Sequence, residues 1–155
     1  MRLKALVCLT LLAVPMFAAG PDVISHQVAE LKFMPVPDGN DCFTMAVERG
    51  DPAKEASFMI MRGKAGCAVP AHWHPSTETI PMTKGSARAD MKGMPAVTLA
   101  PQGFLSVPPK HVMSFRCVTD CELFLHTDGP FVIHYVDAAG HEISAAQANA
   151  KPAKK

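Results

Sequence analysis

From residue 42 onward the chain is a series of short apolar-rich runs, each closed by Gly, Pro, Asn or Asp. Runs of this length, rich in Val, Ile, Phe and Met, are strand-sized and too short for amphipathic helices. They predict strands at 42–47, 57–62, 69–72, 78–83, 87–91, 96–99, 104–107, 112–117, 121–126 and 131–136. Between them lie turn signals such as Gly50-Asp51-Pro52, Lys84-Gly85, Lys92-Gly93, Pro101-Gln102-Gly103 and Asp128-Gly129-Pro130. No stretch repeats. Many short strands at close spacing predict an all-β barrel or sandwich. The two ends depart from this pattern. Residues 22–31 read as a short helix or an arm over the barrel, and 142–150 has helical composition.

The chain has 155 residues, enough for one domain with a real core. Residues 1–19 read as an export signal. Arg2 and Lys4 precede an apolar run, and Phe17-Ala18-Ala19 offers small residues for cleavage. The run is too short for a stable membrane span. The expected organisation is therefore a signal peptide (1–19), an arm (20–32), a β-barrel (33–140) and a partly disordered tail (141–155), exported to the periplasm or secreted. The formal charge is +1, and losing Arg2 and Lys4 takes it to −1. That balance gives no reason to expect a nucleic-acid partner. Without Cys8, four cysteines remain, and an even count in an exported chain favours disulfides. Four cysteines allow three connectivities. The preferred one staples the short hairpin Cys117-Val118-Thr119-Asp120-Cys121 and leaves Cys42 with Cys67.

The candidate chemistry is concentrated in Gly66-Cys67-Ala68-Val69-Pro70-Ala71-His72-Trp73-His74-Pro75-Ser76-Thr77-Glu78, closed by Gly85. Two imidazoles and a carboxylate within seven positions make a metal-site pattern, because both groups are ligands for first-row divalent metals. His72 and His74 are two apart, so on an extended strand they share a face and Trp73 points away from it. Glu78 keeps the same parity and joins that face if the strand continues or makes a short turn at Pro75-Ser76.

This segment resembles the first motif of the cupin family, with Gly66, His72, His74, Glu78 and Gly85 in every fixed position. The resemblance covers residues 33–136. It implies a double-stranded β-helix, or jelly-roll barrel, enclosing a divalent metal. His72, His74 and Glu78 would be ligands, with a fourth from a second motif, which in cupins usually reads Pro-x-Gly, two residues, His. Here the stretch is Val107-Pro108-Pro109-Lys110-His111-Val112-Met113. Lys110 takes the Gly slot and Met113 the His slot, while His111 lies two residues earlier. Three readings follow. His111 supplies the fourth ligand through a shifted register, Met113 supplies a thioether, or water takes the position. His111 is preferred, because imidazole suits more metals than a thioether, which biases toward copper(I). Cys117 falls where cupins often carry Asn, which argues for a structural role.

His126 and His134 flank the Asp128-Gly129-Pro130 turn, and His126 is a further candidate for orienting a ligand or moving a proton. No Gly-x-Ser-x-Gly elbow and no phosphate-cradling glycine loop occurs. The metal is open among iron, manganese, zinc, nickel and copper. Two functions follow from the resemblance. One is a metal-dependent enzyme of the dioxygenase or isomerase type on a small organic substrate, with Glu78 as ligand or catalytic base. The other is a non-catalytic exported module binding a metal or small ligand. A homodimer through strand edges is a further expectation.

Overall fold

The computed structural model describes residues 23–25, 27–37 and 40–150. The expected signal peptide and the last five residues lie outside the described residues, as does His26. The described chain is all-β apart from a 3₁₀ turn at Val28–Glu30 and one short helix, α1 (Ala145–Ala148). The strands are β1 (Met34–Pro35), β2 (Phe43–Arg49), β3 (Ser57–Gly63), β4 (Ala68–Trp73), β5 (Glu78–Lys84), β6 (Ala87–Met91), β7 (Val97–Leu99), β8 (Phe104–Val107), β9 (Met113–Cys117), β10 (Cys121–Thr127) and β11 (His134–Tyr135). They form two antiparallel sheets, in the orders β1-β2-β3-β10-β5-β8 and β11-β4-β9-β6-β7. This is the jelly-roll arrangement, with chain neighbours such as β4 and β5 placed in opposite sheets.

Strict alternation builds the core. Along β10, Cys121, Leu123, Leu125 and Thr127 are buried while Glu122, Phe124 and His126 are half-buried on the other face. In β9, Met113, Phe115 and Cys117 point inward. In β5 it is Glu78, Ile80 and Met82. These inward rows from both sheets join one hydrophobic cluster that also includes Phe43, Met59 and Leu105. Thioethers fill the irregular gaps of this core, as expected for a side chain with three rotatable bonds.

Two disulfides, Cys42–Cys67 and Cys117–Cys121, tie the structure. The second closes the β9–β10 hairpin across four residues, and the first joins the start of β2 to the start of β4. Both Cα–Cα separations, 5.6 and 5.7 Å, are in the ordinary disulfide range. Both motif glycines have positive φ, 84° at Gly66 and 69° at Gly85. A Cβ at Gly85 would collide with the Asp120 carbonyl oxygen, so glycine is required there by contact as well as by conformation.

Two expected elements change. The strand expected over 131–136 shrinks to β11, because Pro130 cannot donate to a ladder and Phe131 donates instead to the Pro52 carbonyl (2.7 Å). The helix expected over 142–150 shortens to α1, opened by a Ser144–Gln147 capping box.

Candidate metal centre

His72 sits near the end of β4 and His74 one residue beyond it. Pro70 interrupts the β4–β9 ladder, whose register shifts between Val69 and His72. Its carbonyl, turned out of the ladder, lies 2.7 Å from His72 Nδ1. His74 Nδ1 lies 2.7 Å from the Val132 carbonyl in the segment that failed to become a strand. A carbonyl oxygen only accepts, so each Nδ1 carries the proton. In the neutral ring Nε2 is then the bare nitrogen, the tautomer a metal requires.

Glu78 reaches the site differently from the simple parity argument. The chain leaves the second sheet after Trp73 and enters the first at Glu78, so the carboxylate faces the imidazoles across the barrel. The crossing is pinned by Ser76 Oγ donating to the Pro130 carbonyl (2.9 Å) and Thr77 N–H donating to Asp128 Oδ1 (2.8 Å). The outcome is a cluster in which one ligand atom from each of His72, His74 and Glu78 lies within 4.8 Å of the others. All three side chains are buried, at 3, 4 and 5 % exposure. His74 Nε2 is 3.5 Å from Glu78 Oε1. The rings of His72 and His74 meet edge to face at 5.0 Å.

Glu78 Oε2 is buried with no hydrogen-bond partner. Burial pushes the Glu78 carboxyl up to about 7, against a smaller downward pull from His72. An ionised carboxylate left unsatisfied in an apolar interior is costly, and a cation at the centre of the cluster removes that cost. The donor set therefore fits a first-row metal: two imidazole nitrogens and one carboxylate oxygen, converging on one point.

A cavity of about 40 Å³ adjoins the cluster, enough for two or three water-sized occupants. Its walls are apolar, including Phe43, Ile80, Phe115, Leu125 and Phe131. Phe131 stacks on the His74 ring at 5.1 Å and 19°. No lysine or arginine lines it.

The other candidates separate. Met113 lines the cavity and pairs in register with His72. His111 is not among the residues the structure gathers. It stands in the turn before β9, whose ladder starts only at Met113, so the strand parity shared by 111 and 113 does not apply to it. Its Nε2 is buried without a partner, outside the cavity lining. His126 is on the outer face of β10, 5.0 Å from the Phe58 ring, and does not approach the cluster. Alternation along β10 puts it there, since Leu125 and Thr127 take the inward positions. Trp73 faces away, as expected, and stacks on His134 at 3.9 Å. The supporting carbonyls of Pro70 and Val132, the Phe131 cover and Asn40, which lines the cavity and donates to the Ala68 carbonyl (2.8 Å), carry no local sequence signal.

No protein-family model matches the chain. No curated protein matches it either. Solved structures do. An RmlC-like cupin from Ralstonia eutropha JMP134 aligns over 76 % of this chain and 74 % of its own at 16 % identity, with a TM-score of 0.62. A candidate acetylacetone dioxygenase from Methylibium petroleiphilum PM1 aligns over 83 % and 91 % at 18 % identity, TM-score 0.65. The polyketide cyclase RemF from Streptomyces resistomycificus aligns over 74 % and 86 % at 14 % identity, TM-score 0.64. These likenesses, together with two antiparallel sheets enclosing the His72–His74–Glu78 cluster, give the chain the cupin fold.

Proposed function

We propose that this chain is an exported, metal-dependent cupin enzyme acting on a small organic molecule by dioxygenase- or isomerase-type chemistry. The observation that carries the metal reading is the convergence of two imidazoles, each with its Nδ1–H fixed by a carbonyl, on a buried carboxylate with an unpartnered oxygen. His72, His74 and Glu78 would hold the metal. When bound, it supplies Lewis-acid polarisation or redox chemistry at an open position. The residues do the rest. Pro70 and Val132 keep the rings oriented, and Phe131 and the apolar walls exclude bulk water. Glu78 would serve as the anionic ligand: its carboxyl is raised to about 7 by burial in the metal-free protein, and a bound cation would hold it ionised. Structures of the same fold assigned as a dioxygenase and a cyclase support small-molecule chemistry in such a barrel. Export is supported by the charged, then apolar N-terminal sequence and by the two disulfides.

The small cavity favours a second reading, a non-catalytic module that holds a metal with no exchangeable position. Cobalt(II) loading separates the two. An exchangeable position makes the cobalt spectrum respond to azide and to small enolisable diketones, as the enzyme reading requires. A spectrum indifferent to both, with metal retained, leaves the binding module. His72→Ala combined with His74→Ala is expected to abolish retention, measured by elemental analysis. Unchanged metal content in that variant refutes both readings.

A further inference from the structure

We propose that the Met113 thioether is the fourth protein ligand, making a two-histidine, one-glutamate, one-methionine site that prefers copper(I) over divalent ions. This deepens the metal reading and rests on it. Met113 and His72 are directly opposed across the β4–β9 ladder. Opposed residues of an antiparallel pair share a face, with Cβ atoms about 5 Å apart. Both side chains are buried, at 2 and 3 % exposure, and both line the cavity. A methionine so placed has three rotatable bonds with which to bring its sulfur to a point His72 Nε2 also reaches.

The alternatives in the wall are otherwise committed. The four described cysteines are paired in disulfides. Asn40 spends its amide on the Ala68 carbonyl. The backbone explains why methionine arrives here and histidine does not. Lys110 adopts φ 63° and donates its N–H to the His74 carbonyl at 2.8 Å, which locks the turn against the end of β4. That turn keeps His111 before the start of the strand, its N–H donated to the Pro108 carbonyl (3.3 Å), and the ladder starts at Met113. A thioether is a neutral, soft donor that binds copper(I) well and zinc, manganese or iron(II) poorly, whereas imidazole tolerates all of them. Replacing a nitrogen by sulfur at one corner therefore changes which metal wins, more than whether one binds.

The test uses the protein anaerobically, with Met113→Leu, Met113→His, His111→Ala and the His72→Ala/His74→Ala double variant. Copper(I) affinity is read by competition with a chromophoric copper(I) chelator. Cobalt(II) affinity is read in parallel, and the copper environment by X-ray absorption. Leucine is close to methionine in volume, so Met113→Leu keeps the fold, which circular dichroism checks. The expected result is a sulfur neighbour on copper in the wild type that vanishes in Met113→Leu. Copper(I) affinity should fall there about tenfold or more, with cobalt(II) affinity changed by less than about threefold. Met113→His should shift preference toward cobalt(II). A wild-type copper site without sulfur, an unchanged copper-to-cobalt preference in Met113→Leu, or a larger copper loss in His111→Ala overturns the Met113 assignment while leaving the metal site standing. Full copper retention in the double histidine variant overturns the metal reading, and this assignment with it.

Discussion

At the scale of single residues, Glu78 holds the tension in the metal-free protein. Its carboxyl is raised from 4.5 to about 7 by burial, so the folded chain keeps this proton to higher pH than the unfolded chain does. The sign follows. The stability this group contributes is fully present below about pH 4.5, declines as pH rises toward 7 and is gone above it, a loss on the order of 3 kcal/mol at 1.36 kcal/mol per pKa unit. Chelator-treated protein should therefore show a lower urea midpoint at pH 8 than at pH 5 from this group. Glu78→Gln should flatten that slope and be more stable than the wild type at pH 8 without metal. An unchanged slope in Glu78→Gln would assign the pH dependence to another group. The sequence made Glu78 legible as a ligand candidate through its spacing from His72 and His74. The Pro70 and Val132 carbonyls were invisible, because any residue supplies a carbonyl and only the bulge in β4 and the lost strand after Pro130 turn these two toward the rings.

At the scale of elements, turns and staples hold the strands in register. Gly66 and Gly85 both have positive φ, but only Gly85 lies against another backbone. Gly66→Ala should cost about 1 kcal/mol from conformational strain alone. Gly85→Ala adds a collision with Asp120 at the β9–β10 hairpin and should cost more than Gly66→Ala in denaturant unfolding. Equal costs would place the demand on φ only. The disulfides differ in the loop they close, 25 residues for Cys42–Cys67 and 4 for Cys117–Cys121. On loop-closure entropy, replacing the first pair by serine should cost about 3.5 kcal/mol and the second about 2 kcal/mol. Strand positions were legible because alternation has a period of two that survives in β5, β6, β8, β9 and β10. His126 was not legible as outward-facing, since the phase of β10 relative to the core depends on its partners β3 and β5.

For the whole molecule, metal binding and folding are linked. The cluster draws on β4, the β4–β5 connection and β5, so its ligands converge only when the two sheets are closed on each other. Metal in thousandfold excess over its dissociation constant should raise unfolding free energy by about 4 kcal/mol. The His72→Ala/His74→Ala variant should show no such gain in melting temperature. A gain of equal size in that variant would place the metal elsewhere. The gain should shrink below about pH 6, as the imidazoles protonate and compete with the metal. Among the described residues no helix is long and apolar enough to cross a membrane.

The sequence by itself determined the class of fold, the cysteine pairing it preferred and the three residues that make the cluster. Each depends on local pattern: alternation, short loop spacing, and a motif whose members lie within seven positions. Only the tertiary structure decided which residue opposes His72 across the ladder, Met113. Whether residue 111 or residue 113 faces His72 is a question of register between β4 and β9, strands separated by four others in the chain order. Exchanging one for the other is a two-residue shift, which leaves every side chain on its own face, so local alternation is blind to it and only the packing of the closed barrel fixes it.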